Sequence, residues 1–202
     1  ITGKGVRIDR SSGYIDKMTL TGGTDTSPLL YVNDSPSFNL KNSTIKNHAG
    51  TLFYATRSNV TLHNTNTITN ESSSSGCVVQ IQGSNLDIFD NTTINGNNNS
   101  SCDALTIQRS SGYIENLTVS STENNALAAY ASQLSINGGT YSSTNGGAVQ
   151  LTRGSSVRIE SQNRSLNITT GSKEALVIRT ASFVELNKGD YDFTINSTDT
   201  GY

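Results

Sequence analysis

The chain repeats itself. Arg10-Ser-Ser-Gly-Tyr-Ile15 returns 99 residues later as Arg109-Ser-Ser-Gly-Tyr-Ile114, and the likeness continues from Asp16-Lys-Met-Thr-Leu20 into Glu115-Asn-Leu-Thr-Val119. Self-similarity of this kind marks architectures in which each unit buries its apolar face only against its neighbours. Weaker copies divide the offset into four. Each copy holds an alternating apolar pair, a short polar turn usually with serine, a second alternating pair, another turn and a third apolar residue. Eight copies can be laid out, their first strands beginning near Val6, Leu30, Leu52, Val79, Leu105, Leu127, Val149 and Leu176, a spacing of 22 to 27. Second strands centre on Ile15, Phe38/Leu40, Val60/Leu62, Leu86/Ile88, Ile114, Leu134/Ile136, Val157/Ile159 and Val184/Leu186. The third positions are Leu20, Ile45, Ile68, Ile94, Val119, Tyr141, Ile168 and Ile195.

Within each segment the alternation has period two, which turns one face of a short strand inward and leaves the other polar; no segment carries the helical period. Three such strands per 22 to 27 residues predict an all-β fold, a right-handed single-stranded parallel β-helix of about eight coils whose three strand stacks form three sheets. One domain spans 1–202. This architecture accommodates an unusual composition: Leu, Ile, Val and Phe make up only 45 of 202 residues, against 55 Ser plus Thr, 23 Asn and 18 Gly. A solenoid needs only about five inward side chains per coil, because neighbouring coils satisfy its backbone. The polar stretches 71–76 and 96–101 are expected to bulge from one rim. With no polar cap evident at either end, the chain is expected to be a segment of a longer protein or a unit stacked in an assembly.

Several function classes are disfavoured. No apolar run approaches a membrane span, and Ile1–Asp9 does not resemble a secretion signal. A pI near 5.6 with 14 scattered Lys plus Arg argues against nucleic acid as a partner. Two cysteines, with His48 and His63 apart, do not make a zinc cage, and the calcium nonapeptide is absent, so no metal or cofactor is expected. Thr65-Asn-Thr67-Ile-Thr69 is a single copy of the Thr-x-Thr pattern that ice-binding solenoids repeat on every coil.

The strings LFYATRSNVTLHNTNTITNESSSSGCVV from Leu52 and NGGAVQLTRGSSVRI from Asn145 resemble the parallel β-helix repeats of the pectin-lyase-like superfold. They are most similar to surface repeats of the polymorphic outer-membrane protein type, whose Gly-Gly-Ala-Ile motif is matched by Gly146-Gly147-Ala148-Val149. The resemblance implies the fold; by itself it licenses no activity. Lyases on this fold require clustered Asp with Arg or Lys, and hydrolases paired carboxylates. The available pairs, Asp87 with Asp90 and Asp190 with Asp192 near Lys188, lie outside any such motif and read as surface charge, so no catalytic residue is assigned.

Arginine recurs at one register. Arg10, Arg109 and Arg153 each lie four residues after a strand anchor, Arg57 and Arg179 within one of that position, and Asp34 occupies it in the intervening coil. Coils stack at about 4.8 Å, so an Arg10, Asp34, Arg57 charge ladder is expected, with sugar or partner binding as the alternative. Cys77 and Cys102 are 25 residues apart and precede first strands, which stacks them within disulfide reach and implies an oxidising setting. Eleven Asn-x-Ser/Thr sequons occur, at Asn33, Asn42, Asn59, Asn70, Asn91, Asn98, Asn99, Asn116, Asn163, Asn167 and Asn196. Of these, Asn42, Asn59, Asn70, Asn91, Asn98, Asn116, Asn163, Asn167 and Asn196 are the expected N-glycosylation sites. In the sequons of Asn59, Asn116 and Asn167 the middle residue is inward, which turns Asn and hydroxyl to solvent. The leading expectation is an extracellular, N-glycosylated structural or adhesive β-helix of a cell-surface appendage, filament or coat, carrying N-linked glycans and self-associating. The alternatives are a phage or viral tail-spike or fibre segment that binds or cleaves polysaccharide, and a carbohydrate-active lyase or hydrolase.

Overall fold

The computed structural model describes residues 5–70, 76–96, 102–162 and 164–198. Among them there is no helix; the chain winds as a parallel β-solenoid. The first strands of the coils, Val6–Asp9, Leu30–Asn33, Phe53–Thr56, Val79–Gln82, Leu105–Gln108, Leu127–Tyr130, Val149–Thr152 and Leu176–Ile178, form one eight-stranded parallel sheet, so seven full turns separate the first from the last. Registered partners are 24, 23, 26, 26, 22, 22 and 27 residues apart along this sheet. The third coil is anchored at Phe53, which pairs with Leu30, and not at Leu52. Both residues are wholly buried, because the chain turns its corner just before each first strand and sends two successive side chains inward, as it does at Leu29/Leu30 and Val78/Val79.

The second and third strand stacks are joined, so the molecule has two sheets and not three. Second strands such as Phe38–Lys41 and Asn85–Ile88 and third strands such as Thr44–Lys46 and Thr92–Gly96 belong to one 14-stranded sheet. Two long strands, Ser111–Ser121 and Gln133–Ser143, make the link. Ile114 to Val119 and Ile136 to Tyr141 span the corner with the same number of residues, and the ladder between these strands runs from Ser111↔Gln133 to Ser121↔Ser143 around the bend.

The core is a set of columns. Leu20, Ile45, Ile68, Ile94, Val119, Tyr141 and Ile168 stack as one buried file, closed by a partly exposed Ile195. In the last coil Ile178, Phe183, Leu186 and Tyr191 are also exposed, since its strands pair on one side only.

At the corner between first and second strands a serine ladder replaces apolar filling. The N–H of Ser35 donates to Oγ of Ser58 (3.0 Å), and Ser58, Ser84, Ser110, Ser132 and Ser155 each donate in turn to the serine of the next coil, ending on Ser182. Short hydroxyl side chains thereby satisfy buried corner amides at a net gain of about 1 kcal/mol per bond, which gives seven of the chain's 29 serines a structural role.

Candidate functional site

Immediately before each of these serines the chain adopts positive φ: Arg10 (49°), Asp34 (48°), Arg57 (48°), Gly83 (56°), Arg109 (48°) and Ala131 (51°), then Arg153 (59°) and Thr180 (55°) where the corner holds one more residue. Glycine, Asn and Asp suit this left-handed region; another side chain costs about 1 kcal/mol or more there. The corner between second and third strands follows that preference more closely, with Lys17, Asn42, Asn64, Asp90, Asn116 and Gly138. Arginine at the first corner runs against it.

A groove of about 680 Å³ follows the first corner, lined by Pro36, Arg57, Asn59, Gly83, Asn85, Arg109, Ala131 and Gln133 among others, with the serine ladder beneath. The serines of its floor are no nucleophiles, since each hydroxyl both accepts a corner N–H and donates to a backbone carbonyl, as Ser58 does to Thr56 and Ser84 to Gln82. Arg57 and Arg109 stand two coils apart with Gly83 between them. A Cβ at Gly83 would meet nothing within 4 Å, so the gap is open.

The charge ladder forms in part. Arg57 grips Asp34 through Nε to Oδ1 (2.5 Å) and Nη2 to Oδ2 (3.0 Å), with Asn33 Oδ1 accepting at 2.9 Å. The Arg57 hydrogen bonds hold the Asp34 carboxyl below the usual carboxylate range and raise Arg57 in return. Arg10 turns instead to Asp9, 3.8 Å away, so the expected three-membered ladder closes over two residues. Arg109 has no carboxylate partner among the described residues, and Arg153 lies 5.5 Å over the Tyr130 ring. With Phe53 as anchor, Arg57 enters the register and Arg179 leaves it, Thr180 standing there in its place.

Beside this column lies a polar network that the sequence reading missed. Asp103 accepts from Asn125 through its backbone N–H (3.2 Å) and Nδ2 (2.7 Å) and from the Tyr130 hydroxyl (3.3 Å); Nδ2 of Asn125 also donates to Gln150 (2.7 Å). Burial raises the Asp103 carboxyl, and burial, followed by the Asp103 charge, pushes Tyr130 up to about 12. Asp103 occupies the position two before the first strand, a turn site that periodicity does not mark.

The carboxylate pairs stand in separate surroundings. Asp87 accepts from Tyr113 N–H (3.1 Å) and Asn85 (2.8 Å), Asp90 accepts from Asn64 N–H (3.4 Å), and Asp190 and Asp192 are exposed on the last coil. His48 is buried between Gly23 N–H (3.2 Å) and the Ser27 carbonyl (2.5 Å), and His63 stacks on Phe89 at 5.5 Å. No group of three His, Cys, Asp or Glu side chains able to hold a metal occurs among the described residues.

Cys77 and Cys102 are joined, with sulfurs 2.13 Å and Cα atoms 5.1 Å apart. Their backbones are one residue out of register, since Val79 pairs with Leu105; the bond forms in the turns before the strands.

The sequons divide by environment. Asn42, Asn59, Asn91 and Asn196 are exposed, Asn116 and Asn167 half-buried, and the middle residues Val60, Leu117 and Ile168 are buried as expected. Asn42 donates to Asp16 (3.0 Å), Asn59 to the Pro36 carbonyl (3.1 Å) and Asn116 to Asn91 Oδ1 (2.5 Å), ties that a glycan on the donor would displace. Asn70 differs from these: it is 2 % exposed and donates inward to the His48 carbonyl (3.2 Å). The alternation gives this away, because Asn70 lies two residues beyond inward Ile68. Asn98, Asn99 and Asn163, with most of both expected bulges, lie outside the described residues. Set against protein-family profiles, curated proteins and solved structures, the chain matches none.

Proposed function

We propose that this chain is an extracellular, N-glycosylated β-helix that serves as a structural or adhesive rod of a cell-surface appendage, filament or coat, akin to the polymorphic outer-membrane protein type within the pectin-lyase-like superfold. The observation that carries the reading is the Cys77–Cys102 bridge between adjacent coils, since such bonds persist in oxidising compartments. Exposed sequons at Asn42, Asn59, Asn91 and Asn196 support the glycoprotein element. Intact-mass measurement of the protein from its native source, with and without glycosidase and reductant, tests the proposal. A mass above the bare chain that falls on deglycosylation is expected; the bare mass with two free thiols overturns it.

The polar groove favours a second reading, a tail-spike or fibre segment that engages polysaccharide. Sedimentation of an unglycosylated trimer with free thiols is the outcome that reading requires.

A further inference from the structure

We propose that the first corner is a binding track for a linear acidic polysaccharide, gripped along the rod axis by an arginine on every second coil. This deepens the adhesive reading by naming the chemistry of the partner, and it does not depend on glycans at the sequons.

The register carries the argument. Strand pairing brings Arg10, Asp34, Arg57, Gly83, Arg109, Ala131, Arg153 and Thr180 into one column, so arginine occupies the first, third, fifth and seventh coils and never the coils between. The four arginines share φ values of 48° to 59°, which sends their side chains off the backbone in a common direction. Their interval is two coils, about 9.6 Å.

Backbone preference does not account for this choice, although Arg10, Arg57 and Arg153 each meet a partner within the fold, at Asp9, Asp34 and the Tyr130 ring. Each arginine stands where the backbone favours glycine or asparagine, and the side chains of Arg10 and Arg57 are 79% and 63% exposed. Arg109 is exposed and has no carboxylate among the described residues. Gly83 leaves open space and Ala131 a short side chain between the cations, and the groove around them offers acceptor oxygens of hydroxyls and amides whose protons already bond within the chain, such as Ser58, Ser84, Ser111 and Asn59.

Charge spacing selects the polymer. A glycan with its acid on alternate sugars repeats its charge at an interval of this order, whereas a nucleic-acid strand carries one phosphate per about 3.4 Å. Single-stranded nucleic acid also needs free aromatic faces on which to stack its bases. Tyr31 covers Tyr54 at 5.3 Å and His63 covers Phe89 at 5.5 Å, and no ring lines the groove. Asp34 neutralises Arg57 and Arg153 lies over the Tyr130 ring, so the cation most open to a ligand is Arg109, with Arg153 and Arg57 held in reserve.

The test uses the full chain made in bacteria, and therefore without sugar, titrated with hyaluronan (carboxylate on alternate sugars), κ-carrageenan (sulfate on alternate sugars), dextran (neutral) and a single-stranded oligonucleotide. Binding to at least one charged glycan, weakened by salt and absent for dextran, is expected; which one binds separates carboxylate from sulfate. The double variant R109G/R153G should bind about tenfold or more weakly for the loss of two charge-assisted contacts, with its melting temperature unchanged or raised because glycine suits positive φ. D34N should bind more tightly by releasing Arg57. Equal binding of dextran, tighter binding of the oligonucleotide, wild-type affinity in R109G/R153G, or a melting temperature that falls with its affinity each overturns the proposal. Failure here leaves the glycoprotein reading standing, and a bare native mass leaves this one standing.

Discussion

The repeated hexapeptide supplies a matched pair of perturbations. Gly13 and Gly112 sit in identical local sequence at the start of a second strand, yet among the described residues only Gly112 has a coil on the side toward Val6. A Cβ built on Gly112 overlaps the Leu86 carbonyl oxygen and stands 2.9 Å from its carbon and 3.3 Å from its nitrogen, all backbone atoms that no side-chain rotation can move. A Cβ on Gly13 meets only Ile8 Cδ1, at 3.8 Å, an ordinary contact. Gly112→Ala must therefore push its strand away from Asn85–Ile88. The flanking bonds, Ser111 N–H to Ser84 O (3.0 Å) and Tyr113 N–H to Asp87 (3.1 Å), stretch with it. Two weakened bonds at about 1 kcal/mol each, with the overpacking that remains after relaxation, give a loss of about 2–4 kcal/mol. Gly13→Ala should fall within about 0.5 kcal/mol of wild type, or stabilise slightly by restricting the unfolded chain. Urea unfolding followed by circular dichroism measures both, with an unchanged slope required before midpoints are compared. Equal midpoints for the two variants would refute the claim that the interior coil interface dictates this glycine.

Cys77→Ser/Cys102→Ser removes a cross-link over a separation of 25, so the loop-entropy relation gives a loss of about 3.5 kcal/mol, read as a lower urea midpoint; reductant should move the wild type the same way and leave the double variant unmoved. Asp103 and Asp34 should respond oppositely to pH. Burial raises Asp103 in the native state, so its contribution is full below the ordinary carboxylate range and lost as pH rises through the raised native value; Asp103→Asn should flatten that limb of melting temperature against pH. Asp34 is lowered by Arg57, so its contribution is present above the ordinary range and lost as pH falls through the lowered native value, a limb that Asp34→Asn should remove. Asn70→Gln should leave the glycan mass of the native protein unchanged, by peptide mapping, whereas Asn59→Gln should remove one glycan.

Most of the architecture was legible because a strand's burial follows a period of two, and that period survives even in a chain poor in large apolar residues. Ile15, Leu40, Leu62, Ile88, Ile114, Ile136 and Ile159 are all inward, as their spacing required. Legibility failed where the period breaks. At the corner before each first strand two successive residues are inward, so Leu52 and Phe53 were indistinguishable by alternation, and only strand pairing separates them. That single residue decided the candidate site. Anchored at Leu52, Arg57 falls out of line and the arginines look like a loose recurrence; anchored at Phe53, they occupy alternate coils without exception. Asp103 was hidden for a related reason, since it lies in a turn whose burial comes from the coils on either side and not from any pattern in its own segment.

The two corners separate what folding demands of this chain from what it leaves open. At the second corner Asn42, Asn64, Asp90, Asn116 and Gly138 are the residues the left-handed backbone prefers, so their identity needs no further cause. At the first corner the following serine is present in every coil from Ser35 to Ser182, because its hydroxyl closes a buried hydrogen bond between coils. The column position ahead of it is under no such demand: Asp34, Gly83, Ala131 and, with one residue intervening, Thr180 all serve on the even coils at positive φ. A position that accepts acid, glycine, alanine and threonine accepts arginine only at a local cost; part of it is met within the fold, by Asp9, Asp34 and the Tyr130 ring, and at Arg109, which lines the groove without a carboxylate among the described residues, the proposed track supplies the rest.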